Sequence, residues 1–261
     1  ESAQIFVTNN LLSDNISLNT AILNNISVPV DLVDTDISNI FEDLDVVLIS
    51  NDQGEYYIPS TDLNTIGDWE IQKGYQILLS LDEDEDNVAV NGYYANPLDY
   101  PVTIQPFLLN NISYLLNAPS AIEDQFEELP IIFASDDEGG YFIPSMGVNT
   151  IDMTGGMKPG KGYQLLISGS DSIEFTYDES HIDQNLSRVS NTVESSDNYE
   201  IIQTGVSCPI VIDQISGFVS EGDEIIVYAN NIPVGSSIVK MDKTTLIGAW
   251  QSLYEYGLNT L

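Results

Sequence analysis

Six basic residues against 41 acidic ones, one histidine and one cysteine leave this 261-residue chain short of most groups on which protein chemistry runs. The shortage of cations excludes electrostatic capture of nucleic acid, because neutralising phosphates takes clustered Lys and Arg. Lys73, Lys158, Lys161, Arg188, Lys240 and Lys243 form no such cluster in sequence. An anionic membrane face would repel a chain of net charge -35 for the same reason. Cys208 has no second cysteine to bridge and, with His181 the single histidine, cannot build a zinc site, so stability must come from apolar cores. No run approaches ~18 apolar residues, which argues against membrane insertion of a helix. The chain opens at Glu1 without a basic stretch ahead of an apolar one, which fits a mature product after signal cleavage or a trimmed sequence.

What is present is core material. The sequence is 43% hydrophobic and carries 14 Tyr, 8 Phe and 2 Trp, too much aromatic content for a disordered acidic chain. A surface so acidic repels itself in dilute buffer, and salt or divalent cations relieve the repulsion, so the charge reads as adaptation to saline water.

The main organisational feature is an internal repeat. Asn24-Asn25-Ile26-Ser27 recurs as Asn110-Asn111-Ile112-Ser113, and Tyr56-Tyr57-Ile58-Pro59-Ser60 as Tyr141-Phe142-Ile143-Pro144-Ser145. Asn64-Thr65-Ile66 recurs as Asn149-Thr150-Ile151. These offsets are 85 or 86 residues, and Lys73-Gly74-Tyr75-Gln76 returns 88 residues later as Lys161-Gly162-Tyr163-Gln164, the extra length falling near Gly155 and Gly156. The period exceeds the ~20 to 50 residues of most solenoid units, so each copy reads as a small domain with its own core.

Each copy holds one segment of helical spacing, Ile37, Ile40, Phe41 and Leu44 in the first and Ile122, Phe126 and Leu129 in the second. Asp36 is the expected cap of the first, and Ser120 with Glu123 the expected capping box of the second. Strands are expected over 45–50, 54–59, 74–80 and 88–90, then over 130–135, 139–144, 162–168 and 173–177. From Tyr199 onward the helical period disappears, and strands are expected over 207–212, 224–228, 233–240 and 245–250. The expected fold is mainly β, with α+β repeats. Residues 1–12 form an N-terminal segment, 13–95 and 96–178 two tandem antiparallel-sheet domains with one short helix each, 179–198 a polar linker, and 199–261 a β-sandwich-like domain. That last unit ends at Leu261 where a sandwich would want another strand, from a longer chain or from a neighbour.

The motifs carry a resemblance. Asn111-Ile112-Ser113, Tyr141-Phe142-Ile143-Pro144, Asn149-Thr150-Ile151 and Pro159-Gly160-Lys161-Gly162-Tyr163-Gln164 resemble the repeat domain of large surface and secreted proteins of marine Bacteroidetes, their phages and other aquatic microbes. The bridging Asn96-Pro97-Leu98-Asp99-Tyr100-Pro101-Val102 resembles the connection between tandem copies of that domain. Gly222-Asp223-Glu224-Ile225, Val234-Gly235-Ser236 and Ile247-Gly248-Ala249-Trp250 resemble the β-domain that follows them. Two departures stand out: Asn24 and Asn110 replace a frequent Trp, and no Pro-Gly precedes Lys73. The resemblance implies an extracellular or particle-associated, non-catalytic module and brings no catalytic residues with it.

Candidates for chemistry are few. Tyr75 and Tyr163 could face a sugar, or else the glycine before each supplies a left-handed backbone while the ring packs inward, and the second reading is preferred. Asp82, Asp84 and Asp86 alternate as calcium ligands would, but Asn87 stands where a calcium loop needs Gly and Tyr93 where it needs Glu, so a solvated hairpin tip is preferred over a loose calcium contact. Asp136-Asp137-Glu138 matches Asn51-Asp52-Gln53 and reads as a turn. No nucleophile motif accompanies His181, and neither a phosphate-binding nor a dinucleotide-binding glycine pattern occurs. Asn15, Asn25, Asn111 and Asn185 open Asn-x-Ser sequons, about as many as this composition gives by chance. The expectation is a non-enzymatic structural or adhesive building block that needs no cofactor. It self-associates or joins neighbouring subunits into a filament, fibre or surface layer at the cell surface. The alternatives are a virion decoration or fibre, and a calcium-assisted glycan-binding module.

Overall fold

The computed structural model describes residues 11–20, 22–80, 85–182, 199–215, 217, 219–240 and 244–253. The first repeat contains β1 (Leu12–Asn19), β2 (Leu23–Ile26), β3 (Val30–Leu32), α1 (Ile37–Ile40), β4 (Val46–Ser50), β5 (Tyr56–Ile58), β6 (Leu63–Asn64), β7 (Tyr75–Leu79) and β8 (Glu85–Tyr94). The second contains β9 (Val102–Ile104), β10 (Asn110–Ser113), α2 (Ile122–Gln125), β11 (Ile131–Ser135), β12 (Tyr141–Ile143), β13 (Val148–Asn149), α3 (Thr150–Met153), β14 (Gly162–Ile167) and β15 (Ile173–Phe175). The C-terminal unit adds β16 (Ser207–Ile212), β17 (Glu224–Ala229), β18 (Ile232–Ile238) and β19 (Thr245–Trp250). The fold is mainly β, and every ladder is antiparallel. No helix among the described residues is long and apolar enough to cross a membrane.

Both repeats build the same five-stranded sheet, β2-β7-β4-β5-β6 in the first and β10-β14-β11-β12-β13 in the second, with the same irregularity early in β4 and β11. Alternation along β7 sends Tyr75, Ile77 and Leu79 to the face that meets Phe41 and Trp69, while Leu78 points to the opposite face. β14 repeats this with Tyr163, Leu165 and Ile167 against Phe126 and Tyr177. A smaller sheet closes each core, β1-β8-β3 in the first repeat and β15-β9 in the second.

The outer faces of both sheets are dressed by the C-terminal unit. It consists of two two-stranded ladders, β16-β19 and β17-β18, with Gly235 of β18 set so close to Gly248 of β19 that a Cβ would lie 2.4 Å from the Gly248 carbonyl oxygen. Val206 and Leu253 cover Leu23, Leu48 and Leu78 of the first sheet. Val211 and Leu246 cover Tyr141, Ile143 and Val148 of the second.

Two local expectations change. Asp36 caps α1 as expected, its carboxylate accepting from the Ser38 amide at 2.9 Å. The capping box of α2 does not form: Ala121 is the cap residue, Ser120 Oγ bonds the buried Tyr114 hydroxyl, and the free amides are met by Asp152, which accepts from Ile122 N–H at 2.7 Å. Asp152 rides on α3, a second helix in this repeat; the added residues around Gly155 and Gly156 give the chain room for it. The linker expected over 179–198 lies outside the described residues except for 179–182, where Glu179–His181 form a single 3-10 turn closed by Asp178.

One device recurs without change. Asn24 and Asn110 are buried, and each fastens the loop before its strand. Asn24 Oδ1 accepts from Asn19 N–H, and its Nδ2 donates to the carbonyls of Asn19, Ile22 and Ile77. Asn110 does the same with Gln105 N–H and the carbonyls of Gln105, Leu108 and Leu165. Neither residue can be replaced by an apolar one without leaving buried backbone groups unpaired. Asn24→Ala and Asn110→Ala should therefore each destabilise by about 3 kcal/mol in urea unfolding, and by similar amounts because the two sets of bonds match. A loss under about 1 kcal/mol at either position would refute the role assigned to it.

Candidate functional site

The side chains that the sequence singles out converge on the junction between the two repeats. β2 and β10 are edge strands of their sheets, and each has outward-facing amides that need partners. Asn25 N–H of the first repeat donates to Asp137 Oδ2 of the second at 2.9 Å, and Asn111 N–H of the second donates to Asp52 Oδ2 of the first at 3.0 Å. Ser27 N–H donates to the Gly160 carbonyl and Ser113 N–H to the Gln72 carbonyl. Single antiparallel bridges join Ile26 to Lys161 and Lys73 to Ile112. Each repeat thus grips the other with equivalent groups, as in an isologous dimer interface contained within one chain.

This reciprocity explains the Lys-Gly-Tyr-Gln motif. Gly74 and Gly162 were expected to supply a left-handed backbone, but neither has a positive φ. They are needed for closeness: a Cβ on Gly74 would lie 2.7 Å from the Ile112 carbonyl oxygen, and one on Gly162 2.8 Å from that of Ile26. The tyrosines pack inward, as preferred. Tyr75 and Tyr163 are buried, and their hydroxyls accept from the amides of Glu70 and Lys158 at 2.9 and 2.8 Å, fixing the loop that carries each lysine. Burial and the neighbouring acids Glu70, Glu55 and Asp52 push the Tyr75 phenol far above its ordinary value.

Charge at the junction is unequal. Lys161 Nζ pairs with Asp137 at 2.9 Å and Glu138 at 3.2 Å, and Asp137 is buried. Burial alone would lower the Lys161 pKa, but Asp137 and Glu138 outweigh it and hold the lysine protonated. In the first repeat Asp52 is exposed, and Lys73 pairs with Glu70 at 2.8 Å. Beside this turn, Trp250 of the C-terminal unit lies against Gly139 so closely that a Cβ there would be 2.9 Å from the indole. Within the same turn, Asp136 Oδ1 accepts from Glu138 N–H and Gly140 N–H, as Asn51 Oδ1 accepts from Gln53 and Glu55. Burial, then the charge of Asp137, raises the Asp136 carboxyl to about 6.

The other candidates do not join this site. Asp82 and Asp84 lie outside the described residues, and Asp86 falls in β8 opposite Leu18. Among the described residues no group of three or more His, Cys, Asp and Glu could hold a metal ion. His181 stands 4.0 Å from Asp178, away from the junction. Of the sequons, Asn25 and Asn111 are buried, Asn15 is exposed on β1, and Asn185 lies outside the described residues. An open groove of about 370 Å³ runs between α1 and β8, with Asp34, Glu42 and Asp43 in its lining and no aromatic ring. Sequence reasoning treated Asp52 and Asp137 as turn residues. Their equivalence across the duplication was the signal that both do the same work.

Two consequences can be measured. Gly74→Ala or Gly162→Ala should destabilise by about 2 kcal/mol and open the junction to limited proteolysis, because the added methyl meets backbone rather than a flexible side chain. Gly54→Ala, in open space, should cost about 1 kcal/mol, through its positive φ alone, and leave proteolysis unchanged. Equal behaviour of all three would contradict the close-approach account. For Asp136, folding raises the pKa, so its contribution to stability is full below the ordinary value of 3.8 and is lost as pH rises through about 6. Asp136→Asn keeps the turn in the form Asn51 already uses. It should gain about 3 kcal/mol over the parent at about pH 8 and almost nothing at about pH 4 in denaturant titrations, and a pH-independent difference would exclude the buried acid as the cause.

No family model, curated protein or solved structure matches this chain.

Proposed function

We propose that the chain is a non-enzymatic extracellular building block that assembles through its β-rich modules into a filament, fibre or surface layer, with adhesion as the consequence. The observation that carries this reading is where the scarce chemical groups go. The three lysines of the repeats pair with neighbouring acids at or beside the junction, the motif tyrosines are buried there, and the paired aspartates bind backbone amides rather than an open cleft. Groups spent in this way hold modules in register. At the same time β1 is an eight-residue edge strand whose other side pairs with nothing among the described residues, a ready template for strand addition.

Assembly of so acidic a chain needs its carboxylates screened or bridged where subunits meet. Electron microscopy and sedimentation of the native material, at low and high salt, with calcium or with chelator, test both parts. Ordered polymers that loosen in chelator at low salt are the expected result. Particles unchanged by salt and calcium would rule out ion bridging, and a monodisperse monomer under every condition would sink the building-block reading.

A further inference from the structure

Among the outward edge-strand amides, the reciprocity of the two repeats is broken at one position. Three outward amides line the free edge at β2: Leu23 N–H donates to the Thr204 carbonyl at 2.8 Å, Asn25 N–H to Asp137, and Ser27 N–H to Gly160. At β10 the equivalents of the last two are met by Asp52 and Gln72. The equivalent of the first, Leu109 N–H, meets no acceptor among the described residues. The side chains follow the same pattern. Leu23 is 1% exposed beneath Val206 and Leu253, whereas Leu109 is 45% exposed and continues into Leu108 at 61% and Phe107 at 66%.

Three further features mark this tip as more than a loose loop. Phe107 adopts φ 58°, a left-handed backbone that bulky residues avoid, and its amide is tied to the Ile167 carbonyl at 2.9 Å. The ring is therefore held out in solvent by fixed structure. The loop behind it is fastened by Asn110. The tip also lies within residues 100–122, the longest run of this acidic chain without a charged side chain, so a partner can approach without confronting carboxylates in that segment.

We propose that Phe107, Leu108 and Leu109 with the free edge before β10 dock a glycine-bearing peptide segment of another polypeptide chain, bent at the glycine with positive φ in the manner of Thr204-Gly205-Val206 on the first repeat. The template fixes the ligand chemistry. A carbonyl faces the Leu109 amide, and the next residue is glycine, since a Cβ on Gly205 would lie 2.1 Å from the Leu23 carbonyl oxygen. An aliphatic residue then follows to pack on the sheet. In the assembly proposed above the donor is a neighbouring subunit, and to that extent the inference rests on that reading.

The test uses the full chain and a synthetic peptide with the sequence of Tyr199–Ser207 as probe, read by backbone amide NMR and by anisotropy of labelled peptide. Saturable binding is expected, with shifts centred on residues 107–111. Leu109→Asp in the protein, at an exposed position, and Gly205→Val in the peptide should each weaken binding at least about tenfold. Absence of saturable binding up to millimolar peptide would overturn the inference. So would binding indifferent to Leu109→Asp, which would mean that the peptide displaces its own counterpart from Leu23. Polymers that form from the Leu109→Asp chain while the unmodified chain captures no peptide would remove this surface and leave the building-block reading standing. Capture by a chain that never polymerises would remove that reading alone.

Discussion

Buried edge-strand amides are the constraint around which this structure is arranged. When two small sheets meet edge to edge, each outward N–H loses water, and a buried amide left unpaired costs more than an ordinary hydrogen bond contributes. The chain meets this with aspartates placed at the same turn of each repeat and aimed at the other repeat's strand. A carboxylate is a strong acceptor for such an amide, but burying it needs a counter-charge. Lys161 provides one for Asp137, and in a chain with six basic residues that placement is informative in itself.

Duplication supplies the interface and the third unit makes it asymmetric. Both repeats present matching edge strands, motif glycines and turn aspartates, so the central contacts occur twice. The C-terminal unit, however, covers different parts of the pair, Leu23 and Leu78 of one repeat and Tyr141 and Ile143 of the other. Equivalent residues thereby enter different environments. Leu23 is sealed beneath Val206 and Leu253 while Leu109 is open. The raised pKa of Asp136 has a local origin in burial and the charge of Asp137, and Asn51 fills the same position in the first repeat as a neutral amide that no pH can charge.

Much of the fold was legible in the sequence. Strand alternation located β4, β7, β11, β14 and β16 to β19 to within about two residues, and Asp36 announced α1. What escaped was non-local. The capping box failed because Ser120 is better satisfied by the buried Tyr114 hydroxyl, and Asp152 comes from thirty residues away in sequence to serve α2. The motif glycines were legible as glycines but not as to cause, since a positive φ is a local property and a close approach belongs to a partner strand. The role of Asp52 and Asp137 needed both copies in contact, and no window of either copy contains that contact.

The surplus of acid bears on how such a block can join others. Any face rich in carboxylates meets another at a Coulombic disadvantage that salt reduces without reversing. Contacts made by backbone groups and uncharged side chains escape this penalty, and the fold uses them internally beside its aspartates: Ser27 and Ser113 amides meet carbonyls of the other repeat, Gly74 and Gly162 allow the close approach, and single bridges form at Ile26 and Ile112. The segment at 100–122 carries the same chemistry to the surface at Phe107 to Leu109. In the assembly proposed above, that tip and the open side of β1 would hold a neighbour by the backbone pairing that, together with Asp52 and Asp137, already joins the two repeats.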